Sequence, residues 1–200
     1  MIIEHNEKKP TIHPTAYVAP NATICGDVTI GEGSRVMFGA QLIAENNAIV
    51  IGKNCIILEN AVLRAAAANN LVLGNNILVG PNAHLVSCTI ADDVFLATGC
   101  SIFHSAQILK GAEIRINGVV HLNTVFPENE VLPINWVAVG NPMQKFPPDQ
   151  HEQIWEVQQK ENFPAVVYDI TNRDELSIVN QKLCSTMSER LGTHKNDRML

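Results

Sequence analysis

Between Ile12 and Val139 a small or branched aliphatic residue returns at roughly every sixth position, often followed by Gly, Ala or Pro. In VAPNAT ICGDVT IGEGSR VMFGAQ the recurring residues are Val18, Ile24, Ile30 and Val36. An amphipathic helix buries a residue every three to four positions and a half-buried strand every second one, so a sustained six matches neither. It matches a solenoid in which six residues build one side of a triangular coil and about eighteen build the whole coil. The expected fold class is an all-β solenoid, a left-handed parallel β-helix, with some seven coils between Thr11 and Asn141.

In such a prism the repeated aliphatic points inward and stacks on its equivalent one coil above. The corners need small residues or positive φ, which suits Gly26, Gly31, Gly33, Gly39, Gly52, Gly74, Gly80, Gly99 and Gly111 and the many Asn residues, with the pairs Asn46-Asn47, Asn69-Asn70 and Asn75-Asn76 read as corner or loop residues. An apolar content of 46% with only 5% aromatic fits a core too narrow for large rings. The net charge of -6, with no Lys/Arg cluster, argues against a nucleic-acid partner. No run approaches a membrane span and MIIEHNEKKP lacks the apolar core of a signal peptide, so the expected setting is cytoplasmic, away from membranes.

Three regions follow: a polar lead-in over 1–10, the β-helix over 11–142, and a helical extension over 143–200. After the Pro/Gly break at WVAVGNPMQKFPPD, Asp149 is a candidate cap for a helix carrying Ile154, Trp155 and Val157, which Pro164 should stop. AVVYDI reads as an extended link. Thr171 or Asn172 could cap a second helix with Leu176, Val179, Leu183 and Met187 at helical spacing, ended by Gly192, and THKNDRML should fray.

The five cysteines show no CxxC and read as reduced wall residues; Cys88 is the one with His84 close in sequence. His84, His104 and His121 are spaced by nearly one coil each, so they could climb one edge and form a cluster or a general base. His5, His13, His151 and His194 fall in the lead-in, first coil, first helix and tail, and carry less weight.

GDVTIGEGSRVMFGA, VLGNNILVGPNAHLVSCTIADDVFLATGCSI and WVAVGNPMQKF resemble the γ-class carbonic anhydrases of the hexapeptide-repeat transferase superfamily. The resemblance implies a homotrimer. In that family three histidines hold a zinc-like metal between two subunits, one ending a phrase like DGAVIH and two in a phrase like IGHGAVVHGC. This chain has ENAVLR and VGPNAHLVSC, so the matching positions are Arg64, Pro81 and Val86, none of them a ligand. His84 falls two residues early, expected on another face. The family's RGD and NIQD phrases become IAE and IILE, placing Ile43, Glu45, Ile56, Leu58 and Glu59 around the altered site.

No metal and no cofactor are expected there, and no carbon dioxide hydration. An inter-subunit cleft would be lined by Ile43, Ile56, Leu58, Pro81 and Val86 with Arg64 among them. One reading fills it with packing and an inter-subunit salt bridge from Arg64 to Glu45 or Glu59. Another has it hold a small carboxylate-bearing molecule on Arg64. The candidate catalytic residues are His84 and Glu59. The alternatives are metal-independent acyl transfer, with His84 as general base, and a non-catalytic structural subunit.

Overall fold

A computed structural model of the 200-residue chain describes residues 1–66, 69–168, 170 and 176–200. Among the described residues the strands form three sheets, one 10-stranded and two 7-stranded, and from Ile2–Glu4 to Val137–Val139 consecutive strands fall on successive sheets in turn. The chain thus climbs a left-handed parallel β-helix of about eight turns, followed by C-terminal helices. The first face holds Ile2–Glu4, Thr23–Cys25, Gln41–Ala44, Val62–Ala65, His84–Val86, Ser101–Ile102, Val119–Val120 and Val137–Val139 in parallel register.

The six-residue period becomes a stack of like residues inside the prism. Ile24, Leu42, Leu63, Leu85, Ile102 and Val120 lie one above another on the first face, each 0 or 1% exposed. Parallel pairing permits this because each rung repeats the one below at the strand spacing, so an inward residue always meets its equivalent. Two corners carry the expected chemistry. Asn54, Asn76 and Asp93 have positive φ and are stacked, with Asn76 donating to Asp93 at 3.0 Å. At another, Asn117, above Gly99, has positive φ and donates to Asn135 at 3.2 Å. A Cβ on Gly99 would lie 2.4 Å from the Asn117 amide oxygen, so glycine is required beneath Asn117.

The coil length is not constant. Gln41 pairs with Val62 and Val62 with His84, whereas Thr23 pairs with Gln41 at the eighteen-residue step. The extra residues fall after Ala44 and Ala65 at one corner, where the Ser87 hydroxyl accepts from Ala66 N–H at 3.0 Å and bonds Ala66 C=O.

Both ends depart from expectation. The lead-in adds a rung, since Ile2 and Ile3 pair with Ile24 and Cys25. The tail does not fray: Arg198–Met199 pairs antiparallel with Ile2–Glu4, because that strand would otherwise leave an open sheet edge. Among the described residues three α-helices follow the prism: α1 (His151–Gln158), α2 (Phe163–Tyr168) and α3 (Leu176–Gly192). Gln150, not Asp149, occupies the N-cap of α1, without a side-chain hydrogen bond. AVVYDI is no extended link: most of it is α2, with Pro164 as its second residue, where a missing N–H costs nothing. Asn162, in the left-handed region, breaks the chain between the helices. Gly192 has φ -58 and continues into a 3-10 turn, Thr193–Asn196, instead of stopping the helix. The expected caps Thr171 and Asn172 lie outside the described residues. Val179, Leu183 and Met187 do form the inward stripe of α3, joined by Arg190.

Candidate functional site

The helices cover the outer side of the first face, and the groove between them is the site. Along this face Cys25, Ile43, Arg64 and Val86 stand in register in one column. Gln41, Val62, His84, Ser101, Val119 and Val137 form the column beside it. His84 is two residues from Val86 in one strand, and a strand repeats sides every second residue. It therefore shares the face and side of Val86 and Arg64, which corrects the expectation of another face.

Arg64 pairs with Glu45 inside the chain. Glu45 sits at the corner insertion with its side chain 5% exposed, and Arg190 reaches it from α3 at 3.7 Å. One buried carboxylate thus faces two guanidiniums. Arg64 Nε, Arg190 Nε and Glu45 Oε2 are buried without a hydrogen-bond partner among the described residues. A cavity of about 140 Å³ lies here, walled by Arg64, His84, His104, Tyr168, Met187 and Arg190.

Phe103 and Phe163 line this cavity and also a larger one of about 730 Å³ further along the face. The larger wall is mostly apolar, with Val119, Val137, Ile154, Trp155 and Val179, and His121 at its floor. Gln158 of α1 lies 2.6 Å from His121 Nε2, and Asn123 donates to Glu161 at 2.7 Å, fastening the helices to the prism. Phe163 packs edge-on to both His104 and Tyr168.

The three histidines do not climb one edge. His84 lies in the strand column, His104 follows Phe103 at the corner, and His121 lies tilted against Phe103 with ring centroids 6.0 Å apart. Among the described residues they form no group able to share a metal. Burial lowers the pKa of all three. The charge of Arg64 lowers His84 further, and the charges of His84, Arg190 and Arg64 help push His104 down to about 4. At neutral pH each is a neutral imidazole, able to accept a proton. A base with a depressed folded pKa binds fewer protons than the unfolded chain, so stability falls as pH drops below about 6.5, the ordinary histidine value. For His104 the window runs down to about 4. We expect the urea midpoint to be lower at pH 5 than at pH 7.5; an equal or higher midpoint would contradict the burial of these rings.

Other residues marked by sequence lie elsewhere. Ile56 is on the outer side of the third face, in register with Arg35 and Leu78. Leu58 and Pro81 line a separate apolar cavity of about 430 Å³ on that side with Leu78 and Phe95. Glu59 is half-buried at a corner and lines neither groove cavity. Within one chain, then, Ile43, Glu45, Arg64, His84 and Val86 come together, while Ile56, Leu58, Glu59 and Pro81 do not join them. Cys88 is fully buried and burial raises its thiol pKa, which removes it as a nucleophile. Arg190 was missed by sequence reading, although it continues the Val179, Leu183, Met187 spacing of α3.

No protein-family model matches the chain. It is 30% identical over 123 residues to gamma carbonic anhydrase 1, mitochondrial, of Arabidopsis thaliana, covering 56% of this chain and 45% of that protein. It is 28% identical over 111 residues to a carbonic anhydrase of Geobacillus kaustophilus, covering 56% of this chain and 61% of that one. The chain thus spans less than two thirds of either relative. A solved hexapeptide transferase family protein from Anaplasma phagocytophilum overlays 94% of the chain and 97% of its own length, at 17% identity and a TM-score of 0.48. Among the described residues no helix is long and apolar enough to cross a membrane. The six-residue repeat builds a three-sided prism, and over about half of its length the chain is similar in sequence to γ-class carbonic anhydrases.

Proposed function

We propose that this protein binds small apolar carboxylates in the groove beneath its C-terminal helices, and that it is not a carbon dioxide hydratase. The observation that carries this reading is Glu45, buried and shared by Arg64 and Arg190 beside the small cavity of the groove. Two guanidiniums against one carboxylate leave a positive charge in a partly desolvated place, where a second carboxylate is the natural complement. The apolar cavity beyond Phe103 and Phe163 has the size of a ligand pocket and would take the carbon skeleton.

The metal of the γ-class anhydrases does not fit the positions matched to its ligands. Arg64 stays protonated, Pro81 has no side-chain donor and Val86 is hydrocarbon. Without a Lewis acid there, no group at these positions would generate hydroxide at neutral pH. The homotrimer is part of the same reading. Tyr17, Phe95, Ile116, Val131 and Ile134 are 37–50% exposed on or beside the third face, which needs a cover.

Titration with octanoate, followed by calorimetry and thermal shift, tests the binding. Saturable binding at about one per chain, without carbon dioxide hydration, is expected. No binding of octanoate, benzoate or shorter acids would return the groove to simple packing, as in a non-catalytic structural subunit. Sedimentation showing a stable monomer at micromolar concentration would remove the trimer. Acyl transfer is a second reading, favoured by His84: it lines the same cavity as Arg64 and burial keeps its imidazole neutral, as a general base requires.

A further inference from the structure

The two ends of the chain meet beside the first rungs, and their meeting gathers four donor residues that sequence spacing keeps far apart. His5 follows the strand Ile2–Glu4, Cys25 ends Thr23–Cys25, His194 lies in the 3-10 turn and Asp197 just precedes Arg198–Met199. One ligand atom from each lies within 4.8 Å of all the others. His5 Nδ1 is 2.6 Å from one Asp197 oxygen, His194 Nδ1 is 2.8 Å from the other, and Cys25 Sγ is 3.8 Å from the latter. The two imidazole rings stack with centroids 4.2 Å apart.

We propose that His5, Cys25, His194 and Asp197 form a binding site for a divalent transition-metal ion, with zinc the best match. Imidazole, thiolate and carboxylate are the donors zinc takes, and thiolate disfavours the hard cations magnesium and calcium. Around a tetrahedral zinc with bonds of about 2.0–2.3 Å, neighbouring ligand atoms are roughly 3.3–3.7 Å apart. The donors here are already at that scale, drawn in slightly by hydrogen bonds to the carboxylate. Four protein donors leave no open position, so the site is structural and not catalytic. It is also sheltered: His5 is 2% and Cys25 3% exposed.

The charges balance. One dication with one thiolate and one carboxylate is neutral, which suits a buried place. Loading releases the Cys25 thiol proton to solvent, and each neutral imidazole that binds through Nδ1 carries its proton on Nε2. For His5 that nitrogen lies 3.0 Å from the Asn6 amide nitrogen, so the amide turns its oxygen to accept the new N–H. The ion would fasten the tail strand onto the first rung and so join the two ends of the chain. The site shares no residue with the carboxylate groove or with the Arg64, Pro81 and Val86 positions.

Tag-free protein stripped with chelator and titrated with Zn²⁺ and Co²⁺ decides the question. Expected are one ion per chain, a higher melting temperature, and an intense tetrahedral Co²⁺ visible spectrum with a thiolate-to-cobalt charge-transfer band. Cys25→Ser should lose that band and at least tenfold in affinity, and His194→Ala should lose retention of the ion through gel filtration. Arg64→Met and His84→Ala should bind as the wild type does, which separates this site from the groove. If Cys25→Ser does not fold, His194→Ala in the half-buried tail decides alone. No retained ion, or a pale six-coordinate Co²⁺ spectrum unchanged in both variants, would mean an adventitious ion only and overturn the proposal.

Discussion

Arg64→Met is expected to weaken octanoate binding by roughly tenfold to a hundredfold, the worth of about 1.5–3 kcal/mol for a hydrogen bond to a charged group. The change keeps the length of the side chain and its packing beside Ile43 and Val86, which flank it in register. Arg190 remains, but Glu45 then holds it as a one-to-one pair, and the surplus positive charge is gone. Glu45→Gln should act in the opposite direction. Glu45 is an internal competitor for the two guanidiniums, so its neutral isostere frees both for the ligand and should tighten binding by about tenfold. The same variant should destabilise the ligand-free protein, because two neighbouring cations lose their shared counter-charge. Calorimetric titration of the three proteins reads both effects. Equal affinity in wild type and Arg64→Met would leave Arg64 and Glu45 as a structural pair.

Leu63→Ala should cost about 2–5 kcal/mol of stability, the range for emptying a well-packed site of a leucine. Leu63 is fully buried between Leu42 below and Leu85 above. The prism makes the loss hard to repair. A rung touches chiefly the rungs on either side, and hydrogen bonds fix the spacing between them, so the neighbours cannot collapse into the gap. The rungs on both sides then lose packing, and the cooperative unit is cut near its middle. A urea midpoint within the error of wild type would contradict this account of the core. The same variant leaves Arg64 in place, so octanoate binding by the folded fraction should persist.

The inward column from Ile24 to Val120 was legible because the period of six is also the geometry: in-register parallel stacking turns sequence recurrence into spatial adjacency. The corner asparagines were legible for the same local reason, since positive φ is a property of one residue and its immediate neighbours. Arg64 and Glu45 were marked by their departures from a family phrase, and their meeting follows from the register of adjacent coils. What spacing did not carry was the length of the corner insertions after Ala44 and Ala65, which shifts the step between coils without breaking the inward stack.

The C-terminal region was less legible. Its helical stripe in α3 was visible, but α2 was not, because Val166, Val167 and Tyr168 are β-branched or aromatic and have no preference for helix by themselves. Its helical form is stabilised by contacts outside the segment, with Phe163 against His104 and Val167 buried against the groove. The tail was expected to fray on its polar composition. It is ordered because the edge of Ile2–Glu4 offers it backbone partners, and an unpaired edge is something no local propensity reveals.

The sequence by itself determined the prism, its six-residue sides and its corners, because each depends on contacts whose spacing along the chain repeats. The tertiary structure alone decided which residues share the groove and which ends meet. Arg190 reaches Glu45, and His194 and Asp197 reach His5 and Cys25, across separations that follow no period. Those contacts depend on where the helices cross the first face, and that is set by packing over the whole surface.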